Sequence, residues 1–102
     1  MYKIKLGAIP YLEDNGFKKI GEGSYFLKFP VLFYKKTPTV FCIASLFLQN
    51  SKEIRLDVEK NGLPYTLWYE NNIQLAPKLL KEINKAIDNK MHKIGARHYE
   101  DR

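Results

Sequence analysis

The sequence predicts an α+β fold: an antiparallel β-sheet of about five or six strands, a short N-terminal helix, and a long C-terminal amphipathic helix packed on one face. Three observations carry this expectation. The stretch Thr37–Ser51 holds no charge, and between Val40 and Leu48 it is almost wholly apolar. A strand in the middle of a sheet, buried on both faces, reads this way. Asn61-Gly62 lies between two strand-like runs, a strong local signal for a two-residue type I′ hairpin. From Leu79 to Ile94 apolar residues recur at three- and four-residue steps, the period of a helix with one buried face.

Each element follows in turn. Residues 2–6 alternate apolar and charged side chains and predict a first strand. Pro10 suits the first position of a short helix, with Glu13 and Asp14 behind it and Gly16 as its left-handed stop. Phe17–Ile20 and Ser24–Phe29 read as strands around a Gly21-Glu22-Gly23 turn, and Pro30 marks a bulge or break. Val31–Lys36 is the next strand, ended by Thr37-Pro38. Thr39–Gln49 is the long central strand, and Asn50-Ser51-Lys52 is a turn. Counting outward from Asn61-Gly62 pairs Lys60 with Leu63, Val58 with Tyr65, Leu56 with Leu67 and Ile54 with Tyr69 on one apolar face. It sets Arg55 beside Trp68 on the other. Pro77 opens the final helix, Leu75 is placed to staple against Leu80, and Gly95 ends it. Residues 96–102 are expected to fray.

With 102 residues, the chain is expected to be a single domain spanning 1–102, large enough to bury a core without cross-links. Its composition, 45% hydrophobic and 27% charged, is that of a globular protein and excludes intrinsic disorder. A net charge of +6 favours anionic partners: nucleic acid, an anionic membrane or an acidic protein surface. Cys42 is the only cysteine, so an internal disulfide and a multi-cysteine zinc site are excluded, and its apolar neighbours predict a buried thiol. The alternating N-terminus has no apolar stretch of signal-peptide length, and no run approaches the roughly 20 apolar residues of a spanning helix. A cytoplasmic protein without a membrane partner is expected.

The segment richest in binding chemistry lies between Phe17 and Lys36. Lys18, Lys19, Lys28, Lys35 and Lys36 stand against one acid, Glu22, and are interleaved with Phe17, Tyr25, Phe26, Phe29, Phe33 and Tyr34. Lysines tracking phosphates beside rings stacked on bases is how single-stranded nucleic acid is held. Strand alternation sends at least half of these rings to the core and leaves Tyr34 as a stacking candidate; Trp68 beside Arg55, on the half-polar face of the Asn61-Gly62 hairpin, is a second. A second basic stripe on the final helix, Lys78, Lys81 and Lys85, is diluted by Glu82 and Asp88 and reads as a solvated face.

Catalytic chemistry is thin. Asp88 and His92 are one helical turn apart but lack a nucleophile, and His92 and His98 do not have metal-ligand spacing. Gly21-Glu22-Gly23 lacks the lysine and third glycine of a phosphate cradle. No catalytic residue, metal or cofactor is therefore expected. The expected function is that of a small non-catalytic accessory protein that binds nucleic acid, or a nucleic-acid-handling complex, through Lys18, Lys19, Lys28, Lys35, Lys36, Tyr34, Arg55 and Trp68. The alternative is a protein–protein interaction module, such as an inhibitor, immunity or anti-defence protein of a phage or other mobile element, acting as a homodimer through a sheet edge or an apolar patch.

Overall fold

A computed structural model describes residues 2–65 and 77–98. They form a seven-stranded antiparallel sheet and a C-terminal helix. The strands are β1 (Tyr2–Ile4), β2 (Lys18–Gly21), β3 (Ser24–Tyr34), β4 (Thr37–Phe47), β5 (Glu53–Lys60), β6 (Leu63–Pro64) and β7 (Ala96–His98). The helix, α1, spans Pro77–Lys93. The strands lie in the order β2-β3-β4-β5-β1-β7, and β6 pairs with the far end of β5.

The apolar run of the central strand is explained by its position. β4 pairs with β3 on one side, from Ser24↔Phe47 to Tyr34↔Thr37 with register shifts around Leu32, and with β5 on the other, in a continuous register from Val40↔Lys60 to Leu46↔Ile54. Its burial is one-sided, in contrast to the expectation. Val40, Cys42, Ala44 and Leu46 are buried, while Phe41, Ile43 and Ser45 are half-covered. The less covered face is flanked by charged residues of β3 and β5, and the Lys28 side chain lies over the Phe41 ring, which lowers the cost of its exposure.

The buried face of β4 joins Leu27, Phe29 and Val31 of β3 and Ile54 and Val58 of β5, and α1 adds Ile83, Ile87 and Met91 to the same core. Those three helical residues are spaced by four, while Lys78, Lys81 and Lys85 stay exposed. Pro77 opens the helix as expected. Lys90, His92 and Lys93 in its last turn face the negative end of its dipole. Gly95, at φ 83°, follows as the stop.

Four expectations are corrected. The short N-terminal helix is a 3₁₀ helix over Leu6–Tyr11 with Pro10 inside it, rather than a helix opening at Pro10. A three-residue hydrogen-bond spacing suits so short a piece, and Gly16, at φ 98°, still supplies the left-handed exit. Pro30 bulges β3 but does not end it, so one strand runs Ser24–Tyr34. Beyond Phe26 no β2 partner is present among the described residues, so a missing N–H is tolerated on that side. Residues 96–98 do not fray: they pair with β1 through Tyr2↔His98, Lys3↔Arg97 and Ile4↔Ala96. The edge beside Ile54 is taken by Tyr2, where Tyr69 was expected. The near half of that hairpin does follow the expected register, with Lys60↔Leu63 and the Tyr65 N–H donating to the Val58 carbonyl at 2.8 Å. Leu67, Trp68, Tyr69 and Leu75 lie outside the described residues.

Candidate functional site

The turn between the two longest strands is the unusual local geometry of the sheet. The sequence expectation places it at Thr37-Pro38, but it is made by Lys35 and Lys36, both left-handed at φ 48° and 68°. Two-residue hairpin turns require this backbone, and Asn or Gly normally supplies it. A side chain with a Cβ pays roughly 1–2 kcal/mol per residue there. The long ladder between β3 and β4 holds the conformation. Tyr34 pairs with Thr37 and Phe33 with Pro38, and the Thr39 hydroxyl donates to the Leu32 carbonyl at 3.4 Å across the irregular register just behind them.

This hairpin end projects. Val40 is opposite Lys60, the last residue of β5, so residues 37–39 have no β5 partner, and β2 reaches only to Phe26. Pro38 can therefore sit in β4 without costing a ladder bond on that side. Phe33 and Tyr34 are 58% and 66% exposed. The Lys35 ammonium stands 5.5 Å from the centre of the Tyr34 ring. Charge and ring are thus presented together at a narrow tip.

The other expected residues are distributed elsewhere. Lys18 shares a row with Phe26, Ser45 and Arg55 on the open face of the sheet. Lys19 belongs to the opposite row, with Tyr25 and Leu46, and lies 3.9 Å from Glu22. Lys28 is engaged: its ammonium is 2.7 Å from the Glu59 carboxylate and 4.8 Å from the centre of the Phe41 ring. Arg55 contacts Asp57 at 3.4 Å. The open face is therefore largely charge-matched at its middle. Seven residue steps along β3 and into the turn, about 23 Å at ~3.3 Å each, separate Lys28 from Lys35. Trp68 lies outside the described residues. The single basic, aromatic surface expected from sequence resolves into an edge, a neutralised face and a cationic tip.

From the sequence, Phe33 is one of the interleaved rings but not a stacking candidate, and the row Leu32, Val40, Lys60, Leu63, which ends in a 69% exposed leucine, is not found. Strict alternation along β3 would turn Phe33 to the same face as buried Val31, and two register shifts at Pro30/Leu32 and Leu32/Phe33 undo that alternation. The available signal was Lys35-Lys36 itself, the only charged interruption between two long apolar runs.

The rest of the molecule offers less chemistry. Asp88 accepts a hydrogen bond from the Tyr2 hydroxyl at 2.9 Å, so the carboxylate that was weighed as a partner for His92 ties α1 to β1. Burial, and then the bond to Asp88, raise the Tyr2 hydroxyl well above the usual phenol range. The Tyr2 ring meets His98 edge-on at 5.2 Å. A cavity of about 840 Å³ opens beside them, lined by Ile54, Leu56, Asn84 and Ile87 among others. Cys42 is fully buried, and desolvation, with a smaller contribution from Asp57, pushes its thiol up to about 12. It is a packing residue rather than a nucleophile. Among the described residues no group of three or more His, Cys, Asp or Glu could hold a metal ion, and no helix is long and apolar enough to cross a membrane. The chain matches no protein-family model, no curated protein and no solved structure.

Proposed function

We propose that this protein is a non-catalytic nucleic-acid-binding module that engages its ligand with the β3–β4 hairpin tip. The observation that carries this reading is the Lys35-Lys36 turn, strained at both residues and flanked by the exposed rings of Phe33 and Tyr34. Non-glycine residues kept in left-handed backbone are concentrated where function needs them. Beyond the contact of Lys35 with the Tyr34 ring, two lysines at this turn place two ammonium groups where a phosphate chain can reach them. Lys18 on the β2 edge adds to the positive charge of the sheet, while Lys19, Lys28 and Arg55 contribute less because Glu22, Glu59 and Asp57 lie against them.

The test is binding of short DNA and RNA across a range of salt concentrations. Micromolar affinity that weakens with salt and is lost in the Lys35→Glu/Lys36→Glu variant is the expected result. No binding at low salt rejects the reading. One observation favours a second reading, a protein–protein module: Phe33 and Leu63, both well exposed, lie toward the same end of the sheet. Under that reading Phe33→Ser and Leu63→Ser change the oligomeric state or the affinity for a protein partner, with weak salt dependence.

A further inference from the structure

We infer that the ligand of the β3–β4 tip is a single strand with unstacked bases, which stack on Phe33 and Tyr34 while Lys35 and Lys36 hold the adjoining phosphates. This rests on the nucleic-acid reading above and specifies its substrate class.

Three features favour a single strand over a duplex. Adjacent residues Phe33 and Tyr34 both leave more than half of their surface in water at a projecting turn. Such rings gain by being covered, and a base face covers a ring without regard to sequence. In an intact duplex those base faces are already stacked, so the rings would have no partner there. Second, the left-handed turn puts two consecutive lysines at the tip, and the Lys35 ammonium stands 5.5 Å from the Tyr34 ring centre. A phosphate next to a stacked base would find a cation within a side chain's reach. Third, the middle of the open sheet face is charge-matched by the Lys28–Glu59 and Arg55–Asp57 pairs. A duplex is held by a broad basic footprint, whereas the tip offers a short one.

The geometry also sets the strength of the salt effect. Two phosphates neutralised on a single strand give a slope of log K against log salt of about −1.4, well below that of a protein tracking a duplex.

The experiment compares four probes on the intact protein: a short oligothymidylate, an abasic strand of the same length, a duplex of the same length, and polyglutamate. The base-bearing strand is expected to bind at least about tenfold more tightly than the other three. Phe33→Ala and Tyr34→Ala should each weaken it by roughly 5- to 100-fold and leave the abasic strand unaffected, and Tyr34→Phe should retain binding. Both sites are exposed, and an unchanged urea midpoint excludes loss of fold as the cause. Equal binding of the abasic strand or the duplex overturns the single-strand inference while leaving nucleic-acid binding in place. Polyglutamate bound as tightly as the oligonucleotide assigns the tip to an acidic protein and overturns it as well. No binding to any nucleic acid at low salt rejects the underlying reading.

Discussion

Gly95 and Ala8 meet so closely that a Cβ at position 95 would lie 2.6 Å from the Ala8 Cβ. The contact closes the molecule: the Gly95 carbonyl also accepts the Lys5 N–H at 3.0 Å, joining the end of α1 to the start of the 3₁₀ helix. Gly95→Ala therefore meets two penalties. Left-handed backbone costs about 1–2 kcal/mol, and overpacking adds about 1–3 kcal/mol. Gly62→Ala is the control, because Gly62 has a similar φ of 78° but nothing within 4 Å of the added methyl. Urea midpoints should show Gly95→Ala as clearly the more damaging, with Ala8→Gly recovering part of the difference.

The Tyr2–Asp88 bond and the buried Cys42 predict loss of stability in alkali. Both groups hold their protons more tightly in the folded chain than in the unfolded one, and both are neutral when protonated. Stability is then independent of these groups below about pH 9. It falls as pH rises, first as the unfolded Cys thiol ionises near 9 and then as the phenol does near 10, and for Cys42 the loss continues up to about 12. Tyr2→Phe should remove part of this decline at a cost of about 1 kcal/mol near neutrality, since the hydrogen bond is lost but no buried acceptor is stranded: Asp88 is exposed. Chemical denaturation at a series of pH values from 7 to about 11 checks both statements.

Cys42 predicts its own probe. A fully buried thiol with a raised pKa reacts only when the sheet opens. Modification by a disulfide reagent should be slow in native buffer and should accelerate with urea in step with unfolding. Rapid labelling of the native protein would place Cys42 at an accessible site and contradict the packing of β4 against α1.

Much of the fold was legible because it rests on local signals with mechanisms. Asn61-Gly62 adopts the left-handed pair that a two-residue turn needs, and Pro77 and Gly95 bound the helix. The apolar run identified β4 as central. What was not legible depends on tertiary partners. Ala96–His98 have no strand signal of their own and become a strand because β1 offers them an edge. Thr37-Pro38 resembles a turn, but the ladder between β3 and β4 carries Pro38 into a strand and forces Lys35 and Lys36 to make the turn. The candidate site suffered for the same reason. Lysines counted along the sequence looked like one surface, yet Glu59, remote in sequence and on another strand, neutralises Lys28, and Asp57, two residues along β5, neutralises Arg55.

That division predicts unequal effects of charge reversal. Lys28→Glu sets a new acid beside Glu59 and should destabilise the sheet by about 1 kcal/mol, in keeping with a half-exposed pair. Its effect on nucleic-acid affinity should be small. Lys35→Glu should leave stability within about 0.5 kcal/mol and weaken binding strongly. Urea denaturation and a binding isotherm on the same two preparations separate the roles. Equal loss of affinity from both variants would restore the whole sheet face as the interface.

The turn itself predicts a conflict between stability and binding. Replacing Lys35-Lys36 with Asn-Gly gives the backbone the residues it favours at φ 48° and 68°. Relief of the left-handed strain should raise stability by about 1–2 kcal/mol, even though glycine adds some unfolded-state entropy. The same change removes both tip cations, so affinity for an oligonucleotide should fall at least tenfold while the flanking Phe33 and Tyr34 stay in place. A single-residue comparison sharpens the point. Lys36→Gly alone relieves strain and removes one cation, and should give roughly half of each effect. A variant more stable and equally able to bind would mean the lysines are kept for another purpose, and the tip would lose its claim as the nucleic-acid contact.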